Sequence, residues 1–485
     1  MEFVIKNQKD KAIIELMAQS IENTQWEGKV YLCGEYVRNT LLDLPTTHIE
    51  ICVESPNGFE AFANWICKEV GCYKINQNPV IFPKIGTTFF GFKHMSNLAD
   101  VRIKCTMTQS KLPEVKLGKF EKTDYTTLNG DSFDRLITVN ALYVNISSMK
   151  IEDPTKNGLN DLVSKTINMV GLTTYHFKAA PTRILQIIYE STKLGWGINT
   201  KTWMNMIEGA HHLVGIKDKH IIAEITKILM LPKPSIGLRR MLHCGALAIA
   251  LPPVHKMVGC GQGQSHFGDV FEHTLATVDN VSADYITRWA ALLHDVGKPM
   301  VRCMIGGKPT FLNHDIIGGT YLLPYLEGVG FDENSAQDIC TIVKEHMRFK
   351  KNGLKVKPSN KSIKKFMDAI GDTHREGKSL MTRVLEVMHA DNMAHAKDAQ
   401  RPDLVPYVVD KIIEFKEAEQ KAQETTVQMP LNGQDIKEWF DLKPSPMIGK
   451  ILAKAQEIFN DNPDLDKNGL LLELAKVDDL IPVKA

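Results

Sequence analysis

From about Thr182 onward this chain offers almost nothing but helical periodicity. The stretch "TRILQIIYESTKLGWGI" sets Ile184, Leu185, Ile187, Ile188 and Leu194 on one broad apolar face. Pro232, Pro234, Pro252 and Pro253 then punctuate successive helices. The first 150 residues read differently: short β-branched or aromatic runs ("KVYLC", "IEICV", "TTFFGF", "ADVRIK", "ITVNALYVNI") alternate with helical stretches such as "GFEAFANWICKEVG". The expected fold class is α+β, an N-terminal α/β head followed by a long all-helical body. No repeat of fixed period and no low-complexity tract interrupts this layout.

At 485 residues the chain is too long for one ordinary core. Hydrophobic residues at 43% and charged residues at 24% fit a soluble globular protein, and a net charge of +1 means that any nucleic-acid partner must be met by a local patch. No apolar run reaches the roughly eighteen residues needed to span a bilayer. The opening "MEFVIKNQKDKAIIELMAQS" lacks the uninterrupted apolar stretch of a signal peptide. The nine cysteines are scattered without a CxxC pair, which suits reduced thiols and a cytoplasmic location.

The helical part holds an ordered set of metal-ligand types: His273, the adjacent His294 and Asp295 in "WAALLHDVGKP", His314, His346 and Asp391. Imidazoles supply neutral nitrogen ligands, and a carboxylate between them can bridge two ions. The pattern predicts one or two divalent ions, with His273, His294, Asp295 and Asp391 on the first, and His314 and His346 completing the second. Nitrogen-rich ligation favours Mn, Co, Ni or Fe over Mg. Two ions about 4 Å apart activate water and clamp a phosphate oxygen. Asp295 is the catalytic centre of this reading, and Lys298 is placed to offset phosphate charge. Asp315 is a candidate partner for His314, whereas His266 and His389 lie nearby in sequence without a ligand role.

Two further stretches carry chemistry. "YLCGEYVRNTLLDLPTTHIEICVE" (31–54) reads as strand, glycine turn, helix and strand, with His48, Glu50, Cys52 and Glu54 sharing one strand face. Two acidic side chains at i and i+2 there could hold a metal, but the first position is a histidine. "RFKKNGLKVKPSNKSIKK" (348–365) carries eight Lys/Arg and no acid. It reads either as a solvated loop or as a phosphate-backbone contact through Lys350, Lys351, Lys355 and Lys357.

These motifs together resemble a known family nearly end to end. The His/His-Asp/Asp set is similar to the HD phosphohydrolase domain. "VYLCGEYVRNTLLDLPTTHIEICV", "DRLITVNALYVNISSMKIEDPTKNGLNDLVSKTI", "FKAAPTRILQIIYESTKLGWGI", "KHIIAEITKILMLPKPSIGLRRMLHCGAL" and "LNGQDIKEWFDLKPSPMIGKILAKAQEIFNDN" resemble successive parts of the class II CCA-adding tRNA nucleotidyltransferases and their poly(A) polymerase relatives. The resemblance implies a nucleotidyltransferase-like head (1–150), a helical neck and RNA-binding body (151–255), an HD domain (256–400) and a helical tail (401–485). It also implies a tRNA or other RNA 3′ end, and a phosphorylated nucleotide, as partners.

The departures are concentrated in the head. Where the family has paired aspartates for magnesium, this chain has His48 and Glu50, and magnesium prefers hard oxygen ligands. Asp100 stands at the family's further strand carboxylate. The glycine pair is reduced to Cys33 and Gly34, and Arg38 is followed by Asn39 rather than aspartate. In the second head motif Arg135 and Asn140 remain, but Asp134 and Leu136 replace an arginine and an aspartate. In the neck, the family's base-reading Glu-Asp-x-x-Arg becomes Ala179-Ala180-Pro181-Thr182-Arg183, so only Arg183 could contact a base. Metal ligation and base selection are therefore both lost, in separate segments.

The expected function is a metal-dependent HD phosphohydrolase, of phosphatase or 2′,3′-cyclic phosphodiesterase type, on an RNA-binding scaffold with CCA addition abandoned. The alternatives are a nucleotidyltransferase still working through Glu50 and Asp100, and a non-catalytic tRNA-binding protein. The sequence leaves oligomeric state open.

Overall fold

The computed structural model describes residues 3–70, 72–73, 80–82, 87–92, 102–107, 109–110, 124–171, 173–263, 268–350, 357–371, 373–425 and 429–477. Asp100, His266, Lys351 and Lys355 lie outside them. The chain divides into two compact units, residues 1–356 with 368–405, and residues 357–367 with 406–485.

The first unit begins with α1 (Gln8–Ile21) and then a mixed sheet. Its strands are β1 (Val30–Cys33), β2 (Ile49–Val53), β3 (Cys72–Tyr73), β4 (Val80–Phe82), β5 (Thr87–Phe92) and β6 (Arg102–Met107), with β7 (Gln109–Ser110) and β8 (Asp124–Tyr125) as a separate ribbon, and β9 (Tyr143–Asn145) and β10 (Ile151–Glu152) completing it. The order is β10-β9-β1-β2-β6-β5-β3, with β4 on β5. β1 and β2 pair antiparallel, Tyr31 opposite Cys52, while β2 and β6 run parallel, Glu50 opposite Lys104. β1 and β2 are buried on both faces, which explains why they read as nearly continuous apolar runs. Helix α2 (Gly34–Leu41) starts at Gly34, and α3 (Gly58–Glu69) packs Phe59, Phe62, Ala63 and Ile66 inward.

After α4 (Leu128–Asp134) and α5 (Gly158–Ser164) the chain turns helical: α6 (Thr173–Ala179), α7 (Arg183–Leu194), α8 (Thr200–Gly209), α9 (Asp218–Leu229), α10 (Pro234–His243), α11 (Ala246–Ala250) and α12 (Pro252–His255). Ile184, Leu185, Ile187 and Ile188 of α7 are all buried, and Gly195 closes the helix in the left-handed region at φ 68°. Next come α13 (Val270–Asp279), α14 (Tyr285–Leu293), α15 (Lys298–Val301), α16 (His314–Val329), α17 (Glu333–Glu345), α18 (Asn360–Ile370) and α19 (Leu380–Met393). Two-residue and three-residue ribbons still occur among them, notably Cys303–Ile305 with Lys308–Thr310 around Gly306 and Gly307.

Two features of this helical array set up the site. Every residue of α14 from Ile286 to Leu293 is buried, Thr287 and Arg288 included, so whatever follows Leu293 is delivered into the interior. The buried guanidinium of Arg383, on α19, grips the Asp284 carboxylate that caps α14, at 2.8 and 2.9 Å. It also donates to the carbonyls of Lys378 and Arg375, so α14 and α19 are tied together. The second unit carries its own core of Leu431, Ile436, Ile448, Ile451, Phe459 and Leu470.

A candidate metal centre in the helical array

His294 sits at the C-cap of α14 and His346 at that of α17, while His314 opens α16 and His273 lies within α13. Their rings are buried and converge. Gly297 makes the convergence sterically attainable: a Cβ there would lie 2.0 Å from the His314 carbonyl oxygen, so only glycine lets the start of α16 approach the His294-Asp295 turn.

The hydrogen bonds show which nitrogen each ring presents. Nδ1 of His294 bonds the Ala291 carbonyl at 2.8 Å, Nδ1 of His314 the Phe311 carbonyl at 2.8 Å, and Nδ1 of His346 the Val343 carbonyl at 2.6 Å. Only an N–H can satisfy a carbonyl, so Nε2 carries a lone pair when the ring is neutral. Those three Nε2 atoms are buried without a hydrogen bond. They point at Asp295: His294 Nε2 is 3.2 Å from Oδ2, and His314 and His346 Nε2 are 3.3 and 3.8 Å from Oδ1. His273 Nε2 lies 3.7 Å from Asp295 Oδ2 and 3.0 Å from Asp391 Oδ1. Lone pairs aimed at carboxylate oxygens repel unless a cation lies between them, so the donor set fits a metal ion. The two oxygens of Asp295 face different histidine pairs, which is the arrangement of a bridging carboxylate.

The buried rings differ in their electrostatics. Burial lowers the pKa of His273 and of His346, keeping those rings neutral. Burial opposes charge at His294 as well, but Asp295 overcomes it and raises that group. Burial would raise Asp295 and Asp391, yet the neighbouring groups, His294 and Lys298 for the first and Lys350 for the second, hold both far below the usual carboxylate range.

Three participants were not read from the sequence. His395 lies one turn beyond Asp391, its Nδ1 2.7 Å from the Asp391 carbonyl and its ring edge-on to His273, and burial pushes its pKa down to about 4. The signal was present as an i, i+4 spacing across the C-terminal end of α19. Gln262 accepts from the Lys298 ammonium at 2.7 Å. The third is Lys350. Its ammonium contacts Asp391 Oδ2 at 2.6 Å and its side chain is only 18% exposed, which corrects the reading of this residue as a solvated, RNA-facing cation. Asp315 is buried beside His314. His389 is part of α19 and lies outside the ligand clusters found among the described residues. Lys357, in the second unit, is exposed, with its ammonium 4.6 Å from the centre of the Tyr407 ring.

The head residues are engaged with one another. Glu50 is buried and forms an ion pair with Lys104 at 2.8 Å and a longer one with Arg135 at 3.6 Å. Burial alone would raise its pKa, but these two cations hold it below the ordinary value. Gly34, at φ 66°, is pressed so closely by this carboxylate that a Cβ would lie 2.3 Å from Glu50 Oε2. His48 is half-buried, with Nδ1 3.0 Å from the Thr47 hydroxyl. Arg38 is buried, donating to Asn140 at 2.8 Å and to Glu190 of α7 at 2.9 Å. Arg135 binds Asp131 at 2.9 Å, and Arg183 donates to His176 Nδ1 at 2.7 Å. Burial and the Arg183 charge push His176 down to about 4.

Family models match three segments: the poly A polymerase head domain over residues 30–168, the probable RNA- and SrmB-binding site of polymerase A over residues 195–257, and the HD domain over residues 270–394. The A-adding tRNA nucleotidyltransferase of Deinococcus radiodurans is 26% identical over 345 residues, 68% of this chain and 75% of its own. The chain thus resembles the tRNA nucleotidyltransferase and poly(A) polymerase family, whose head, RNA-binding and HD domain models it matches in that order. The multifunctional CCA protein of Pseudomonas paraeruginosa is 23% identical over 350 residues, 68% of this chain and 77% of its own. Among solved structures, the CCA-adding enzyme of Bacillus stearothermophilus with CTP covers 97% of both chains at TM-score 0.55 and 16% identity. That of Thermotoga maritima with tRNA covers 98% of this chain and 96% of its own at TM-score 0.56 and 16% identity. These likenesses establish the α+β fold, a tRNA nucleotidyltransferase-type head followed by helices and an HD domain. Among the described residues, no helix is long and apolar enough to cross a membrane.

Proposed function

We propose that this chain is a metal-dependent phosphohydrolase acting on phosphomonoesters or 2′,3′-cyclic phosphates at or near RNA 3′ ends, with a head that no longer adds nucleotides. The observation that carries the reading is the convergence of three buried, unpaired Nε2 lone pairs on the two oxygens of Asp295. His273, His294, Asp295 and Asp391 would hold one divalent ion, and Asp295, His314 and His346 a second, with Mn, Co, Ni or Fe suited to so many nitrogens and Mg the poorer match. Such ions supply Lewis-acid activation of water and of a phosphoryl oxygen. The chain's own residues orient the ligands, exclude bulk water, and place the Lys298 ammonium where it can hold a phosphate oxygen. We assign the work to residues 256–400, the lost chemistry to 1–150, and RNA contact to 151–255 and to the basic run containing Lys357, with Lys351 and Lys355 outside the described residues.

A second reading, surviving nucleotidyl transfer, has the activities named for the relatives on its side, together with Glu50 as a remaining carboxylate. Against it, Glu50 is a single buried carboxylate already paired with Lys104 and Arg135, and its neighbour on the strand face is His48 rather than a second acid. One purified sample separates the readings. Metal analysis and a phosphatase assay test the first, and incubation of tRNA lacking CCA with labelled CTP and ATP tests the second. Absence of bound metal and of phosphoesterase activity, with label incorporated into tRNA, would reverse the assignment.

A further inference from the structure

Two lysines touch the two carboxylates of the cluster, and they do so differently. Lys298 Nζ lies 2.6 Å from Asp295 Oδ2. That same oxygen faces His294 Nε2 at 3.2 Å and His273 Nε2 at 3.7 Å. An ion held by those nitrogens needs that oxygen, so the ion and the ammonium compete for one acceptor. Lys350 Nζ lies 2.6 Å from Asp391 Oδ2, whereas it is Oδ1 that faces His273 at 3.0 Å and His294 at 3.9 Å. The lysine and the ion therefore use opposite oxygens of Asp391, and both can be present at once.

The charges match this division. With the imidazoles neutral, Asp295 and Asp391 are balanced by Lys298 and Lys350, so the cluster without an ion is closed on itself despite deep burial. Lys298 has a second acceptor ready, the Gln262 side-chain oxygen at 2.7 Å. Lys350 leaves the other oxygen of Asp391, Oδ1, turned toward His273 and His294.

We propose that the cluster is a lysine-for-metal exchange site, in which Lys298 is a counter-ion displaced from Asp295 by the entering ion, while Lys350 stays in place as a positioning residue that commits Asp391 to ligation through a single oxygen. The inference rests on the reading of the cluster as a metal centre. It makes a prediction that simple charge repulsion does not. Repulsion alone says that deleting either lysine tightens cation binding. The exchange model says that the two deletions act in opposite directions.

The test is calorimetric titration of metal-free full-length protein with Co²⁺, with cobalt absorption as a second readout, for wild type, Lys298→Met, Lys350→Met and Lys350→Arg. Lys298→Met should tighten Co²⁺ binding about tenfold, because no ammonium has to leave. Lys350→Met should weaken it about tenfold, the ordinary cost of losing a residue that orients a ligand, and Lys350→Arg should recover most of the loss. Should a methionine variant fail to fold by circular dichroism, the glutamine variant takes its place. Tightening in both deletions, or weakening in both, overturns the exchange model while leaving the metal centre intact. No Co²⁺ uptake by wild type removes the metal centre itself, and the inference with it.

Discussion

Glu50 and Lys104 face each other across the parallel strands β2 and β6, with 2.8 Å between carboxylate and ammonium. A buried carboxylate at the middle of a sheet needs a cation, and here the protein supplies its own. Purified protein should therefore add neither CMP nor AMP to tRNA, with Mg²⁺ or with Mn²⁺. Replacing His48 and Glu50 by aspartate should not restore faithful addition, because Ala179 and Ala180 still present no base-reading groups. Lys104→Met should cost about 1–3 kcal/mol in urea unfolding by leaving Glu50 without its main partner. Robust CCA synthesis by the unmodified protein would falsify this account of the head.

In the helical array, Asp295→Ala should abolish phosphoester hydrolysis and lower metal content, since its two oxygens serve both histidine pairs. His294→Ala should behave alike, and His314→Ala and His346→Ala should lose mainly the second ion. Lys298→Ala should keep metal but turn over more slowly. RNA binding should change little in all five. Full metal occupancy and undiminished hydrolysis in Asp295→Ala would sink the site as described.

The pH response follows from the buried imidazoles. His176 and His395 are each pushed down to about 4, against an unfolded value near 6.5. Between those pH values the unfolded chain binds protons that the folded chain refuses, so stability falls as pH drops through this window. His294, raised by Asp295, works in the opposite direction. Melting of metal-free protein should thus move to lower temperature from pH 7.5 to pH 4.5. Replacing His176 by glutamine should shrink that shift, and a slope unchanged by His176→Gln would show the assignment to be mistaken.

RNA contact can be probed at Lys357, which is exposed, rather than at Lys350, which is not. Lys357→Ala should weaken tRNA binding and reduce the slope of log affinity against log salt by about 0.7–0.9 if it meets one phosphate. Filter binding across a salt series reads this directly, and an unaltered slope would mark the residue as mere surface.

How far the sequence reached can be judged residue by residue. His294 and Asp295 were legible because the apolar run "WAALL" ends on them, and a helix buried at its end delivers its last turn into the interior. The change from mixed head to helical body was equally plain in the spacing of apolar residues. Lys350 was misread because composition describes a loop as a whole, whereas the direction of one side chain depends on a carboxylate 41 positions away. The Glu50–Lys104 pair was invisible because parallel strand register is set by packing between distant segments. The Arg383 grip on Asp284 joins residues 99 positions apart and leaves no local trace.

The histidines at the ends of α14 and α17 also terminate their helices. Each Nδ1 binds a last-turn carbonyl that the helix itself cannot satisfy, Ala291 in one case and Val343 in the other. Ending the helix and aiming the ligand are thus one event, carried by one ring. Evolution of this site cannot separate them. A drift away from histidine would fray a buried helix terminus before any chemistry was tested, so selection for folding alone would preserve the ring's orientation.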